Sequence, residues 1–281
     1  MRVHLDCFPC FIRQIIIALR FGTKDELQQE SILKSILPEI QIADISKPPA
    51  FTTTFIHRKI RQLLGKDPFK ELKSEYNEIA LGLYPSLKTM VKESQNPLWT
   101  ATRLAIAGNV IDFGIFTSVD IEGTIRRAIN SPLAVDEFDI FKEAMDDADA
   151  ILYLVDNAGE IVFDRILIEA LISRGKKVKV VVKGSAVIND STLEDAVESG
   201  LAGICEVIDN GSDAVGTILP WTSSKFQELF KSAKLIISKG QGNFETLTGV
   251  QENIFFLFQS KCDVVSKELG LPLGSMLLKK S

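Results

Sequence analysis

The stretch Ile151-Leu152-Tyr153-Leu154-Val155-Asp156-Asn157-Ala158-Gly159-Glu160-Ile161-Val162-Phe163-Asp164 decides how the chain folds. Its first five residues are an unbroken apolar run of strand length, rich in β-preferring side chains. Such a run suits a parallel strand covered on both faces, because it keeps no polar side for water. The run stops at Asp156 and Asn157. Ala158 and Gly159 then let the backbone turn, and Ile161, Ile166, Leu167, Ala170 and Leu171 recur with helical period. Asp156 and Asn157 are thus expected at the carboxyl end of a strand with a helix just beyond, the edge where open α/β sheets bind ligands. A carboxylate beside an amide carbonyl makes a pair of hard oxygen donors suited to Mg²⁺ or Mn²⁺. The same two residues also fit a helix cap and a plain turn, and the strand alone leaves both readings open.

Downstream of this stretch the grammar is uniform. Apolar strands at 150–155, 177–183, 204–208, 234–238 and 253–258 alternate with helical segments at 161–173, 192–200 and 222–231. That alternation predicts a parallel sheet with helices on its faces. Upstream, residues 1–147 read as helices with hardly any strand pattern. Lys47-Pro48-Pro49 breaks the chain, and Asp67-Pro68 opens a further helix because proline suits the first turn. Trp99 to Ile111 is nearly apolar on all sides and should be buried. Two closely packed parts follow: a helical domain, 1–147, and an α/β domain, 148–281.

Composition narrows the function classes. Of the 281 residues, 46% are hydrophobic, enough for a substantial core, yet no run approaches the ~20 apolar residues of a membrane span. Met1 to Cys10, with His4, Asp6 and Pro9, is not a signal peptide, so a cytoplasmic protein without a membrane partner is expected. A net charge of −5 argues against a nucleic-acid surface. Four cysteines in a chain this long do not make a disulfide framework.

Several polar clusters fall at the ligand edge. Val182-Lys183-Gly184-Ser185 ends the second α/β strand, and Asn189-Asp190-Ser191-Thr192 precedes the next helix. Consecutive strands are often neighbours, so Asp190 can reach the crevice of Asp156 and add a third oxygen donor, or simply cap its helix. Lys239-Gly240-Gln241-Gly242-Asn243-Phe244-Glu245 follows a later strand. Its two glycines permit close backbone approach to a ligand, and Lys239 supplies the fixed charge an anion needs, unless this is a solvated surface loop. Ser212 and Asp213 sit in another turn at that edge and either shape the pocket or close an Asn-Gly turn. Asn109 and Asp112, at the end of the buried helix, cap it or lean into the crevice. Cys7-Phe8-Pro9-Cys10 is a lone CxxC, read first as a structural thiol pair, then as a metal or pocket-lining pair, then as a redox pair, with Cys262, His4 and His57 as loose candidate partners. His57, beside Arg58 and Arg61, reads as part of a solvated helix face.

Taken in order, Cys7-Phe8-Pro9-Cys10, Asp67-Pro68-Phe69, Gly108-Asn109 with Asp112, Asp156-Asn157-Ala158-Gly159-Glu160, Asn189-Asp190-Ser191-Thr192 and Lys239 to Glu245 resemble the damage-control phosphatase family. These are metal-dependent phosphatases that include acidic-residue methyltransferase-like proteins. The likeness spans almost the whole chain and is greatest to the compact, stand-alone subfamily with an N-terminal CxxC. The resemblance implies an N-terminal helical domain packed on a Rossmann-like, three-layer α/β/α domain with a mostly parallel sheet. It implies Asp156, Asn157 and Asp190 as ligands of a divalent metal ion (Mn, Co, Ni or Mg). Lys239 would hold the phosphate, and Glu160 and Asn109 would line the substrate site, with Asp112, Gly240, Gly242, Asn243, Ser212 and Asp213 as further contacts. The substrate would be a small phosphorylated metabolite, a sugar phosphate or a damaged phosphometabolite.

The expected reaction is phosphomonoester hydrolysis by metal-activated water. Attack by Asp156 itself is the less favoured route, because the DxDx(T/V) run of aspartyl phosphatases is missing. Two rival functions use the same crevice: a non-hydrolytic nucleotide- or phosphometabolite-binding protein, and an S-adenosylmethionine-dependent carboxyl methyltransferase. A missing GxGxxG counts against a dinucleotide. The family's larger methyltransferase-like members carry an Arg-Thr-x-Lys motif near the C-terminus, whereas this chain ends Leu277-Leu278-Lys279-Lys280-Ser281.

Overall fold

A computed structural model describes residues 1–110 and 121–281; Asp112 lies outside them. The chain begins with five helices, α1 (Cys7–Gly22), α2 (Glu26–Gln41), α3 (Pro49–Leu64), α4 (Lys70–Glu93) and α5 (Pro97–Val110). After α6 (Ile121–Asn130), β1 (Val135–Asp136) and α7 (Phe138–Asp147) come β2 (Ala150–Leu154), α8 (Glu160–Ile172), β3 (Lys177–Val182), α9 (Leu193–Glu198) and β4 (Glu206–Asp209). The last part is α10 (Ser224–Ser232), β5 (Ile236–Lys239), α11 (Gln241–Leu247), β6 (Ile254–Gln259), α12 (Asp263–Leu269) and β7 (Met276–Lys280).

The strands form one sheet in the order β1-β7-β6-β5-β2-β3-β4. Every neighbouring pair is parallel except β6 with β7. Side chains alternate along a strand, and the two faces of β2 show it. Ile151 and Tyr153 join a cluster with α4, α5, α7 and α8, whereas Leu152 and Leu154 join Phe226, Phe230 and Phe244 of α10 and α11. Helices therefore cover both faces, the three-layer α/β/α arrangement expected from the sequence. From β2 the chain runs outward through β3 and β4, then returns to β5 on the other side of β2. This reversal opens a crevice at the carboxyl ends of β2 and β5, where doubly wound sheets bind ligands.

The hydrophobic clusters do not divide at residue 147. Helices α1 to α3 have their own cluster, built on Phe11, Ile15, Ile36, Ile56 and Ile60 and closed by Val264 of α12. Helices α4, α5 and α7 instead share a cluster with the sheet, and β1 joins the sheet's edge beside β7. A boundary at 147/148 thus runs through a common core. Three further differences from the sequence reading appear. Residues 241–247 are helical rather than a glycine loop, because the turn is completed at Gly240. Met276–Lys280 form a strand between β1 and β6, antiparallel to β6, whose only sequence signal is Met276-Leu277-Leu278. His57 is buried at 2% exposure beside Phe69 instead of solvated, with Nε2 3.4 Å from Gln14 Oε1. Burial, reinforced by Arg61, pushes its pKa down to about 3. Among the described residues no helix is long and apolar enough to cross a membrane.

Candidate active site

The crevice is assembled by backbone before any side chain acts. Just beyond β2, Asn157 pairs with Asp190 in an isolated antiparallel bridge. Ser191 N donates to Asp156 O at 2.8 Å, and Ala158 N donates to Asn189 O at 2.9 Å. The loops after β2 and β3 are therefore fastened together, which brings Asp156, Asn157 and Asp190 to one place. Asn77 of α4 secures the turn from below, its Oδ1 accepting from Gly159 N at 2.7 Å.

Asp156 is buried at 9% exposure, and its Oδ2 accepts from Asn157 Nδ2 at 3.0 Å and Asn109 Nδ2 at 3.4 Å. The Asn109 amide also donates to Glu160 Oε2 at 2.9 Å, while its Oδ1 accepts from Gln259 N. Asn109 reaches this far because α5 packs tightly on α8. A Cβ on Gly108 would stand 2.8 Å from the Phe163 Cβ, so no larger residue fits there. Gly240 makes the second close approach. Its φ is +85°, and a Cβ there would fall 1.9 Å from Asp156 Oδ2. The backbone entering α11 thus lies directly on the Asp156 carboxylate.

Lys239 is wholly buried at the end of β5. Its Nζ donates to Glu160 Oε1 and to Asp164 Oδ1, each at 2.6 Å. Asp164 Oδ1 also accepts from the Tyr153 hydroxyl at 2.8 Å, and its Oδ2 is buried without a donor. The expected phosphate-binding ammonium is therefore clamped between two carboxylates in the floor of the crevice. Asn243 is a scaffold amide, donating to Lys239 O and accepting from Thr217. Asp213 turns away to Arg58 and Arg61 of α3, and Ser212 Oγ accepts from Ala214 N within its own loop. The structure brings Asn109, Asp156, Asn157, Glu160, Asp190, Lys239, Gly240 and Asn243 together, and leaves Ser212 and Asp213 outside the group.

Three carboxylates in one dry place repel each other. Burial first, then Glu160 and Asp190, raise Asp156 well above the usual carboxylate range. Burial raises Asp190 as well, against the opposing charge of Lys183. Asp164, also through burial, rises to about 7. Burial alone would lower Lys239, but Asp164 and Glu160 outweigh it and raise its pKa. Lys183 Nζ lies 3.3 Å from Asp190 Oδ2 and also donates to Gly216 O, so that buried oxygen meets an ammonium but no well-aligned hydrogen-bond donor. A buried carboxylate oxygen held only by a shared ammonium, beside a second carboxylate and an amide, is donor chemistry that suits a hard divalent cation. Among the described residues no three His, Cys, Asp or Glu side chains make a cation site by themselves.

Tyr153, Asp164, Lys183 and Asn77 escaped the sequence reading. Asp164 had a signal: it stands one helical turn after Glu160 in an otherwise apolar helix, and two buried carboxylates require a counter-charge. Lys183 had another, since both Lys183-Gly184 and Lys239-Gly240 end strands of the sheet. Asn77 had none, because its partner is distant in sequence.

The chain matches the model of the damage-control phosphatase ARMT1-like domain over residues 3–277. It is 36% identical to an uncharacterized protein of Methanocaldococcus jannaschii, across 100% of this chain and 96% of that one. It is 33% identical to a damage-control phosphatase of Pyrococcus horikoshii, across 100% and 99%. A crystal structure of a DUF89 family protein from Pyrococcus horikoshii superimposes with a TM-score of 0.93 at 33% identity, covering 100% of this chain and 99% of that one.

Proposed function

The chain belongs to the damage-control phosphatase ARMT1-like family, and from that premise we propose that it hydrolyses phosphomonoesters of small metabolites in the cytoplasm with a divalent metal ion. The observation that carries the reading is the buried set Asp156, Glu160 and Asp190, in which Asp190 Oδ2 meets only the Lys183 ammonium at 3.3 Å. Asp156, Asn157 and Asp190 would hold the ion, Mn, Co, Ni or Mg. Once bound, it supplies Lewis acidity toward a phosphoryl oxygen and a water of lowered pKa.

The chain's own groups set up the rest. Asn109 donates to Asp156 and Glu160 together and so fixes the angle between the two carboxylates. Asp156 is the carboxylate that Gly240 holds in place. Lys239 offsets one of the two charges of Glu160 and Asp164 from beneath, so the floor is less negative when a dianionic phosphate arrives. Burial of the whole set keeps bulk water from screening these interactions.

The test is release of phosphate from p-nitrophenyl phosphate with and without added Mn²⁺. Asp156→Ala is expected to abolish the metal-dependent rate. Turnover by that variant at the wild-type level would reject the assignment.

A further inference from the structure

A cleft of about 550 Å³ opens beside the acidic centre, between α1 and α3 on one side and α11 and α12 on the other. It adjoins that centre at three points. Gln241 and Gly242, which follow Gly240, line it, as does Ile188, two residues before Asp190. Lys261 lines it too, and lies close enough for its charge to oppose the upward shift of Asp156. The cleft is thus the space next to the place where a phosphoryl group would sit.

The same cleft is lined by Glu245. This side chain is only 9% exposed. Its Oε1 accepts from Gln241 Nε2 at 2.8 Å, while no donor among the described residues reaches Oε2. No described Lys or Arg pairs with it. Gln241 is fully engaged, with Nε2 also on Cys262 Sγ at 3.5 Å and Oε1 accepting from Lys261 N at 2.7 Å. Gln14 is likewise tied to Cys10 and His57. Glu245 Oε2 is thus a free acceptor in a wall that also carries Arg13 and Lys261. Cys7 and Cys262 complete the wall as unpaired thiols, which gives the CxxC motif a place as small, soft pocket lining. The N-terminal ammonium acts on Glu245 from a distance without forming an ion pair, and a buried carboxyl with no paired counter-ion is costly unless a ligand donor meets it. Burial pushes its pKa up to about 7, so near neutrality it can accept a hydrogen bond or donate one.

We propose that this cleft is the leaving-group subsite of the phosphatase. Lys261, at the end nearer Asp156, meets the phosphoryl oxygens, and Glu245 Oε2 hydrogen-bonds a hydroxyl of an uncharged, hydroxyl-bearing leaving group. A carboxylated or doubly phosphorylated leaving group would place its anion against Glu245 and be disfavoured. This inference rests on the phosphatase reading above, and its test separates the two.

The experiment measures kcat/KM with Mn²⁺ for two substrates, p-nitrophenyl phosphate, whose leaving group as an ester carries no hydroxyl, and glucose 6-phosphate. Glu245→Ala is expected to lower kcat/KM for the sugar phosphate about tenfold more than for the aryl phosphate. Glu245→Gln keeps an acceptor oxygen and the packing, and should recover most of that difference. Lys261→Ala should raise KM for both substrates. Equal losses on both substrates in Glu245→Ala, or an unchanged ratio, would overturn the subsite. So would a wild-type enzyme that turns over the aryl ester alone, leaving the phosphatase reading intact. A wild-type enzyme inert toward both substrates with each of Mn²⁺, Co²⁺, Ni²⁺ and Mg²⁺ would remove the phosphatase reading and the subsite with it.

Discussion

Replacing Gly240 by alanine tests how closely the sheet edge is fitted to Asp156. The new Cβ would lie 1.9 Å from Oδ2 and 2.1 Å from Cγ of that carboxylate. Ordinary contact begins near 3.4 Å, so the carboxylate must retreat by roughly 1.5 Å or the backbone must move. The backbone cannot simply yield, because Gly240 N is tied to Leu257 O at 3.2 Å and Gly240 O accepts from Phe244 N. Gly240 also has φ +85° and ψ 154°, a region open in practice only to glycine, which adds of order 1–3 kcal/mol of strain. For a chain of this size each kcal/mol lowers Tm by about 2–4 °C. A misplacement of about 1 Å at a reacting group costs on the order of 100-fold in rate. Gly240→Ala should therefore lower Tm by at least several degrees in a calorimetric or circular-dichroism melt. It should also cut metal-dependent phosphate release by about 100-fold or more. Gly82→Ala, on an exposed part of α4, is the control, since its Cβ would meet nothing within 4 Å. If Gly240→Ala behaves like Gly82→Ala in both assays, the close fit of Gly240 to Asp156 is wrong.

Three further outcomes follow from the same geometry. Lys239→Met leaves Glu160 and Asp164 buried without their counter-ion and should cost about 3–5 kcal/mol, read as a lower urea midpoint; an unchanged midpoint would contradict the clamp. Mn²⁺ at about 100 times its Kd should stabilise the wild-type protein by about 2.7 kcal/mol, and Asp190→Asn should lose that thermal shift. Equal stabilisation of the variant would remove Asp190 from the donor set. Glu245 gives a pH signature. Folded, it keeps its proton up to about 7, whereas the ordinary value is 4.5. The folded state therefore binds more protons between those values, and stability falls as pH rises through that window. Glu245→Gln should remove up to about 3 kcal/mol of that fall, measured by urea denaturation at pH 4.5 and 7; parallel curves for the two proteins would refute the buried carboxyl.

Much of this is written locally. The run from Ile151 to Val155, cut off by Asp156 and Asn157, names a buried strand and its ligand edge, because a strand covered on both faces tolerates no polar residue inside it. Asp190 joins that edge because the next strand along the chain is also the next strand in the sheet. The strands β1 and β7 at one side of the sheet were not legible, since two and five residues are too short to leave a periodic signal. The burial of His57 was also hidden: Arg58 and Arg61 flank it in sequence, but only the packing of α1 on α3 shows which face is inside.

The amino-acid sequence by itself determined the alternation of strands and helices, the family likeness and the residue types at the carboxyl edge, because each depends on neighbours along the chain. Tertiary structure alone decided the partners of those residues. Lys239 meets Glu160 and Asp164 rather than solvent, Asp213 meets α3, and Gly240 rests on Asp156. These pairings join loops and helices separated by dozens of residues, and they exist only once the sheet reverses direction at β2 and carries β5 back beside it.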